Sequence, residues 1–199
     1  MKSAPLHLGT ALSYAQALFR KMVTAEVVGR VEIAGSIRRQ RPFVNDIDLV
    51  IIPRIEPILD LTGHVTGITN HWHNWMLNAV ATNTERLRWV TGATNPAGSN
   101  YQVEVLKDGK VHYQVDFFIA TPETFGAVLL CRTGSKEHNI WLCDQAKLLG
   151  GKYEGAKGYR DESFKLHAES EEAIYAALGL PYIEPHNRES EYLQNLARQ

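Results

Sequence analysis

The stretch GSIRRQRPFVNDIDLVII, residues 35–52, contains the features on which the fold and the function of this chain depend. Its last part, LVII, has the apolar run of a β-strand that is buried on both faces. Asp46 and Asp48 stand two residues apart at the start of that strand, so alternation places both carboxylates on one face. Carboxylates this close repel each other unless one is protonated or a cation lies between them. Hard divalent cations such as Mg²⁺ prefer oxygen ligands of this kind.

A third carboxylate, Asp116, lies in the strand-like segment YQVDFF, residues 113–118. Its apolar neighbours Val115 and Phe117 point to one face of the strand, which puts Asp116 on the other face. An aspartate within such an apolar run costs free energy unless it binds something. If this strand lies beside the first, we expect three converging carboxylates. Such a set can hold two metal ions about 3.5–4 Å apart for in-line phosphoryl transfer.

Gly35 and Ser36 form the other half of the expected site, at the end of a short strand over residues 31–34. A glycine at a strand end lets the backbone approach a phosphate closely, and the N–H groups of the following turn can bind its oxygens. The guanidinium groups of Arg38 and Arg39 can neutralise a triphosphate through bidentate contacts.

Each of these features alone has a plainer interpretation. An Asp-x-Asp pair is common at solvated strand ends, Gly-Ser is usually a loop, and an arginine-rich turn is usually a solvated face. Their conjunction, followed by a lone aspartate on a later strand, is much rarer. It therefore favours a functional site over the plainer interpretations.

The rest of the chain has the pattern of an α+β protein. Apolar spacings of three and four predict helices over residues 6–22 and 66–81. A turn signal at Asp108-Gly109 predicts a hairpin of strands 101–106 and 111–120, preceded by a loop over 91–98. The chain after Pro122 is predicted to be mainly helical, with capped helices over 135–149 and 170–178. We expect two units without a flexible linker, residues 1–122 and residues 123–199.

Length and charge limit the classes of protein. The 199 residues allow one sizeable domain or two small ones, and the net charge of −1 excludes binding of nucleic acid through overall charge alone. No apolar run suits a transmembrane helix, and the N-terminus lacks the pattern of a secretory signal. The 2 cysteines do not suffice for a disulfide framework. We expect a cytoplasmic protein that does not bind a membrane.

Two later motifs narrow the assignment: TGSKEHN, residues 133–139, and LGLPYIEPHNRE, residues 178–189. With the glycine-serine pair and the aspartates, they resemble the motifs of the family X DNA polymerases, in the same order. These enzymes belong to the polymerase-beta-like nucleotidyltransferase superfamily. The resemblance covers nearly the whole chain, since Pro5 and Leu6 match the start of the family's catalytic palm. It implies a palm of mixed β-sheet with flanking helices over 1–122, and a small, mainly helical subdomain that binds nucleotide and DNA over 123–199.

The resemblance also implies residue roles. Asp46, Asp48 and Asp116 would be catalytic and bind two Mg²⁺ or Mn²⁺ ions, with Asp116 nearest the primer 3′-hydroxyl. The implied nucleotide-binding residues are Gly35, Ser36, Arg39, Thr133, Gly134, Ser135 and Asn139, with a cis peptide between Gly134 and Ser135. Further contacts to the triphosphate or to DNA are expected from Arg38, Arg41, Arg132 and Lys136. The implied reaction is attack of the primer 3′-oxygen on the α-phosphate of a dNTP or NTP, with release of pyrophosphate.

The sequence departs from the family pattern at several positions. Cys131 and Arg132 stand where the family often has an aromatic pair, so discrimination against ribonucleotides stays open. Gln114 stands where the family often has an arginine, two residues before the third aspartate, which predicts that Asp116 is held less firmly. The helix-hairpin-helix domain and the C-terminal nuclease domain of many members have no counterpart in this sequence. We therefore expect a minimal form.

The leading interpretation is a DNA-directed nucleotidyltransferase that works in DNA repair or gap filling. We expect a monomer acting on primer-template or gapped DNA, with an accessory protein that supplies additional grip on DNA. One alternative is transfer of a nucleotide to an RNA end, a protein or a small molecule, or template-independent terminal transfer, with which the near-neutral charge is compatible. Another is a binding module that kept the fold and lost activity. The presence of all three aspartates counts against that alternative.

Overall fold

A computed structural model describes residues 4–83, 86–91 and 98–189. Six α-helices are present in these ranges: α1 (Leu8–Thr24), α2 (Gly35–Arg38), α3 (His71–Thr82), α4 (Phe125–Thr133), α5 (Lys136–Leu148) and α6 (Glu171–Ala177). The strands of the first part are β1 (Leu6–His7), β2 (Val28–Ile33), β3 (Phe43–Val44), β4 (Asp46–Pro53), β5 (Ile55–Leu59), β6 (Val65–Asn70), β7 (Leu87–Thr91), β8 (Asn100–Lys107) and β9 (Lys110–Ile119). Three short strands follow later: β10 (Lys152–Tyr153), β11 (Tyr159–Arg160) and β12 (Leu166–His167).

The central element is a five-stranded mixed sheet with the strand order β2-β4-β9-β8-β7. Strands β4 and β9 are parallel, and the other pairs are antiparallel. The predicted α+β class is confirmed, and so is the hairpin of β8 and β9. Its turn residues Asp108 and Gly109 both have positive φ, as a two-residue hairpin turn with the right twist requires.

One face of the sheet carries the main core. Helices α1 and α3 pack there, and alternation along β4 and β9 turns Ile47, Leu49 and Phe117 toward them. On the opposite face the same strands are polar at their beginnings and apolar further along, where Val50 and Phe118 pack against α4. The run Leu49-Val50-Ile51 is fully buried, in agreement with the prediction of a strand covered on both faces.

The predicted helix over residues 66–81 is wrong in its first part. Residues Val65–Asn70 form β6, which pairs with β5 in an antiparallel hairpin, and the helix begins only at His71. Asn70 explains the boundary, because its side chain accepts a hydrogen bond from the His73 backbone N–H and caps the helix. The β-branched residues of VTGIT favour a strand, a local preference that outweighs the apolar spacing.

The first helix begins two residues later than predicted, because Leu6–His7 pair with Phe43–Val44 as strands. The predicted loop over 91–98 falls mostly on residues 92–97, which lie outside the described residues. No helix within the described ranges is long and apolar enough to cross a membrane.

The part of the chain after Pro122 is built around a core of its own, formed by residues of α4, α5 and α6 and of the short strands. Helices α5 and α6 lie where the sequence predicts them, with Ser135 and Ser170 as side-chain caps. The expectation of a mainly helical unit missed the three-stranded sheet β10-β11-β12. Its two-residue strands are too short to produce an alternation that could be read from sequence.

Candidate active site

The pairing of β4 with β9 brings the three aspartates together. In the parallel register Asp48 lies opposite Asp116, and Asp46 lies opposite Gln114. Residues opposite each other on neighbouring strands share a face of the sheet, so all three carboxylates lie on the face away from α1 and α3.

The electrostatics of this cluster are those of an uncompensated negative site. Burial raises the pKa of Asp48 well above its ordinary value, and the charges of Asp46 and Asp116 raise that pKa further. The positive charges of Arg39 and Arg132 act in the opposite direction but do not offset the rise. A group that resists ionisation because of two neighbouring carboxylates gains free energy when a cation arrives.

Gly35 makes room for the Asp48 carboxylate. It has φ +59°, and a Cβ atom built on it would lie 1.8 Å from Asp48 Oδ2. Ala34 immediately before it donates its N–H to the Asp48 carbonyl oxygen at 2.9 Å. The glycine therefore serves the close approach of backbone and carboxylate, in a conformation that side chains with a Cβ rarely adopt.

Two glutamines hold Asp116, which is 8% exposed. Gln114 Nε2 donates to Asp116 Oδ1 at 2.7 Å, and Gln102 Nε2 donates to Asp116 Oδ2 at 3.2 Å. The expectation that Gln114 leaves Asp116 loosely held is therefore wrong, since a second amide from β8 completes a pair of donors.

A cleft of about 360 Å³ opens beside the aspartates. Its walls come from the start of β4, from α2 and from the turn between α4 and α5. All seven predicted nucleotide-binding residues meet here. The lining consists of Gly35, Ser36, Arg39, Asn45, Asp46, Asp48, Cys131, Arg132, Thr133, Gly134, Ser135, Lys136 and Asn139. The space and the mixture of backbone, hydroxyl and basic groups suit a phosphorylated ligand.

The arginines of α2 connect the two walls of the cleft. Arg38 donates to Thr133 Oγ1 at 2.8 Å and forms a bidentate pair with Glu171 at 2.8 and 2.6 Å. Arg39 donates to the Thr133 carbonyl oxygen and, through Nε, to Glu189 at 2.8 Å. Arg38 is not among the residues that line this cleft, and its contact with triphosphate or DNA stays a prediction. Arg41 is half exposed, 3.7 Å from Glu189.

The turn between α4 and α5 contains a cis peptide bond between Gly134 and Ser135, the bond that the resemblance implies. Ser135 caps α5 by accepting from the His138 N–H, and its hydroxyl donates to the Arg188 carbonyl oxygen at 2.6 Å. Asn139 donates to the Cys131 carbonyl oxygen at 2.9 Å. In the part of the chain that the structure describes, its Oδ1 is buried and has no hydrogen-bond partner.

A cluster of buried charged side chains contacts the turn between α4 and α5. Glu171 is 3% exposed and accepts from the fully buried Arg188 at 2.7 Å, as well as from Arg38 and from the Tyr182 hydroxyl. Burial alone would raise the pKa of Glu171, but the hydrogen bond from Arg38 and the charge of Arg188 lower that pKa to about 2. Glu171 is therefore ionised and shared between the two units of the chain.

The donor set fits a hard divalent cation. Three carboxylates, one of them with a pKa raised by the other two, are the ligands that Mg²⁺ and Mn²⁺ prefer. Within the ranges described, no three His, Cys, Asp or Glu side chains are already gathered around one point.

Sequence reasoning missed several residues of this region. Gln102 was missed because its place opposite Asp116 depends on a strand register. Glu171 was not singled out as a site residue within the predicted helix over 170–178, whereas the structure pairs it with Arg38 and Arg188. Asn45 was quoted within the motif but not assigned to the cleft that it lines.

The mixed sheet with its attached C-terminal subdomain has the fold of polymerase beta. Two solved structures of Leishmania infantum polymerase beta share it, a ternary P/T complex and a ternary gap complex. Their TM-scores are 0.70 and 0.69 at 17% and 16% identity. They match 94% of this chain and 78% and 71% of their own.

Sequence comparison indicates which proteins with this fold the chain resembles. Residues 128–189 match the family described as DNA polymerase beta thumb. The DNA polymerase/3′-5′ exonuclease PolX of Bacillus subtilis (strain 168) is 28% identical over 185 residues, which are 92% of this chain and 28% of that protein. The chain is thus similar to family X DNA polymerases over most of its length, and it spans 28% of the length of this curated relative.

Proposed function

We propose that the chain is a DNA-directed nucleotidyltransferase that adds a nucleotide to a primer 3′-hydroxyl. The observation that carries this proposal is the position of Asp46, Asp48 and Asp116, in register on one sheet face, beside a cleft lined by Gly35, Ser36 and the Thr133–Ser135 turn. The match of residues 128–189 to the polymerase beta thumb and the names of the similar proteins support a DNA substrate.

Each wall of the cleft has a part in the reaction. Ser36, Arg39 and the backbone of α2 bind the β- and γ-phosphates, and the Thr133–Ser135 turn faces the sugar. Asn139, which lines the cleft, meets the sugar or the base. Asp116 lies nearest the primer 3′-hydroxyl. A bond forms between the 3′-oxygen and the α-phosphorus while the bond to the bridging oxygen breaks, and the hydroxyl proton and pyrophosphate leave.

The three aspartates would hold two Mg²⁺ or Mn²⁺ ions. Bound there, such ions lower the pKa of the attacking hydroxyl and stabilise the charge of the leaving group. Asp46 and Asp48 belong to one strand and Asp116 to the next, so the rigid sheet fixes the spacing of the ligands.

DNA repair or gap filling is the role that fits best, since the fold is shared with a polymerase captured in a gap complex. A net charge of −1 means that grip on DNA comes from local groups such as Arg41, Arg132 and Lys136, or from a separate accessory protein. Binding by the monomer alone is then weak because the phosphate contacts are few, and it is sensitive to salt because each contact releases counterions.

Primer extension by the Asp116→Asn variant tests the proposal. The substrates are gapped, nicked and template-free DNA and an RNA primer, each with dNTPs and with NTPs over a salt series. We expect extension of gapped DNA by the unaltered chain and its loss in the variant. Asp108→Asn, at the exposed turn of the same hairpin, is the matched control and keeps activity.

Unchanged extension by Asp116→Asn would contradict the proposal. Extension confined to the RNA primer, or to DNA without a template, would instead identify the alternative transferases. The ribonucleotide arm measures sugar discrimination at the position where Cys131 and Arg132 line the cleft.

A further inference from the structure

The two glutamines that contact Asp116 come from different strands. Gln114 precedes Asp116 by two residues on β9 and therefore lies on the same face. Gln102 lies directly opposite Asp116 on the antiparallel strand β8. Asp116 Oδ1 accepts from Gln114 at 2.7 Å, and Oδ2 accepts from Gln102 at 3.2 Å. The carboxylate group therefore cannot rotate without losing a hydrogen bond.

The residues opposite Asp116 on the two neighbouring strands determine how its carboxylate is oriented. Gln102, Asp116 and Asp48 occupy successive strands at one level of the sheet. Donors therefore approach Asp116 from the side of β8 and along β9, while its fellow aspartates lie on the side of β4. The arrangement fixes which edge of the carboxylate faces the other carboxylates.

The chemistry of the donors is also specific. A carboxylate offers about four lone-pair sites, of which the two amides occupy two. An amide donor is uncharged, so Asp116 keeps its full negative charge, whereas an arginine in the same place would neutralise it. Burial makes an unsatisfied carboxylate costly, and the amides offset part of that cost without competing with a cation for charge.

We propose that Gln102 and Gln114 are positioning residues that orient the Asp116 carboxylate toward Asp46 and Asp48 and leave its charge available to a divalent cation. Use of that cation in nucleotidyl transfer rests on the function proposed above. The effect on cation affinity is a property of the folded chain and is measured without any reaction.

Titration of the full chain with Mn²⁺ alone, followed by calorimetry and by electron paramagnetic resonance, tests the proposal. The variants are Gln102→Met and Gln114→Met, singly and together, because methionine keeps the length of the side chain and removes the donor. Loss of a hydrogen-bond partner of a metal ligand typically weakens metal affinity 10-fold or more, so we expect about tenfold weaker binding for each variant. Gln16→Met, on the exposed surface of α1, is the control and binds Mn²⁺ as the unaltered chain does.

Kinetics provide a second readout that a purely structural role would not move. In primer extension we expect kcat to fall while KM for the nucleotide stays unchanged, since Asp116 faces the primer and not the triphosphate. Gln114→Arg keeps a donor and adds a positive charge. We expect it to weaken Mn²⁺ binding and to retain kcat at saturating metal.

The result that would overturn the proposal is a folded double variant with the Mn²⁺ affinity of the unaltered chain. Circular dichroism and thermal melting establish folding. If a methionine variant does not fold, Gln102→Asn keeps the amide on a side chain shorter by one methylene and gives the same readouts. Absence of any nucleotidyl transfer by the unaltered chain would refute the proposed function, whereas the Mn²⁺ affinities would still decide the role of the glutamines.

Discussion

Replacement of Gly35 by alanine tests how closely the backbone must approach Asp48. The added Cβ would lie 1.8 Å from Asp48 Oδ2 and 2.7 Å from its Cγ. To reach the 3.4 Å of an ordinary contact, the carboxylate oxygen must retreat by about 1.6 Å, the difference between 3.4 and 1.8 Å. The φ of +59° adds a backbone penalty of about 1–2 kcal/mol for any residue with a Cβ.

Misplacement of a catalytic group by about 1 Å costs on the order of 100-fold in rate. We therefore expect Gly35→Ala to lower primer extension at least about 100-fold, to weaken Mn²⁺ binding in calorimetry, and to lower the free energy of unfolding in urea by about 1–2 kcal/mol.

The matched control is Gly109→Ala at the hairpin turn. Gly109 has φ +71°, but a Cβ there meets no atom within 4 Å. The control carries the same kind of backbone penalty without displacing a carboxylate, so it should lose stability and keep activity. A Gly35→Ala variant that extends primers and binds Mn²⁺ like the unaltered chain would refute the reasoning, because it would show that Asp48 does not need its present position.

Three further predictions concern the C-terminal part of the chain. Glu171→Ala leaves Arg188 buried without its carboxylate partner, and we expect a loss of about 3–5 kcal/mol in urea denaturation; a loss below about 1 kcal/mol would contradict this. Burial and, next, the charge of Arg188 lower the pKa of His138 from 6.5 to about 3, so the unfolded chain binds a proton that the folded chain refuses. As the pH falls from 6.5 to about 3, the free energy of unfolding should therefore decrease, by up to about 1.4 kcal/mol per pH unit from this group. His138→Gln should make the free energy of unfolding less dependent on pH in this range. Glu189→Gln releases Arg39 from an ion pair at 2.8 Å, and we expect tighter binding of a fluorescent Mg²⁺–dNTP; unchanged affinity would show that Arg39 does not bind phosphate.

The sequence predicted best what depends on alternation within one strand. Asp46 and Asp48 share a face because strand side chains alternate, and that holds whatever the neighbouring strands are. Their meeting with Asp116 needed only that β4 and β9 be neighbours, and the register then places Asp48 opposite Asp116.

Gln102 shows what could not be predicted. Continued regularly from the Asp108-Gly109 turn, the pairing of Lys107 with Lys110 would put Gln102 opposite Val115, on the wrong face. The register shifts between Val105 and Leu106, and this irregularity brings Gln102 opposite Asp116. The alternation of apolar Tyr101, Val103 and Val105 with Gln102 indicates that Gln102 lies on the polar face. The one-residue shift that places it opposite Asp116 could not be predicted from this alternation.

The ion cluster around Glu171 was equally out of reach. Its partners Arg38 and Arg188 are distant in sequence, and acidic residues at the first turn of a helix are ordinary. Only the packing of α6 under the turn between α4 and α5 turns a common helix feature into a buried ion pair.

The apolar part of the sheet face that carries the aspartates determines whether the chain can be cut into fragments that fold alone. Val50 and Phe118 of the sheet pack against Phe125 and Val128 of α4, and the fully closed contact of Gly126 with the Ser170 backbone joins α4 to the start of α6. A fragment ending at residue 122 would leave Val50 and Phe118 facing water, directly beside the carboxylates. The boundary predicted at residue 122 is thus not a boundary of autonomous folding, and the turn between α4 and α5 cannot be exchanged between relatives without also exchanging the apolar residues on which α4 packs.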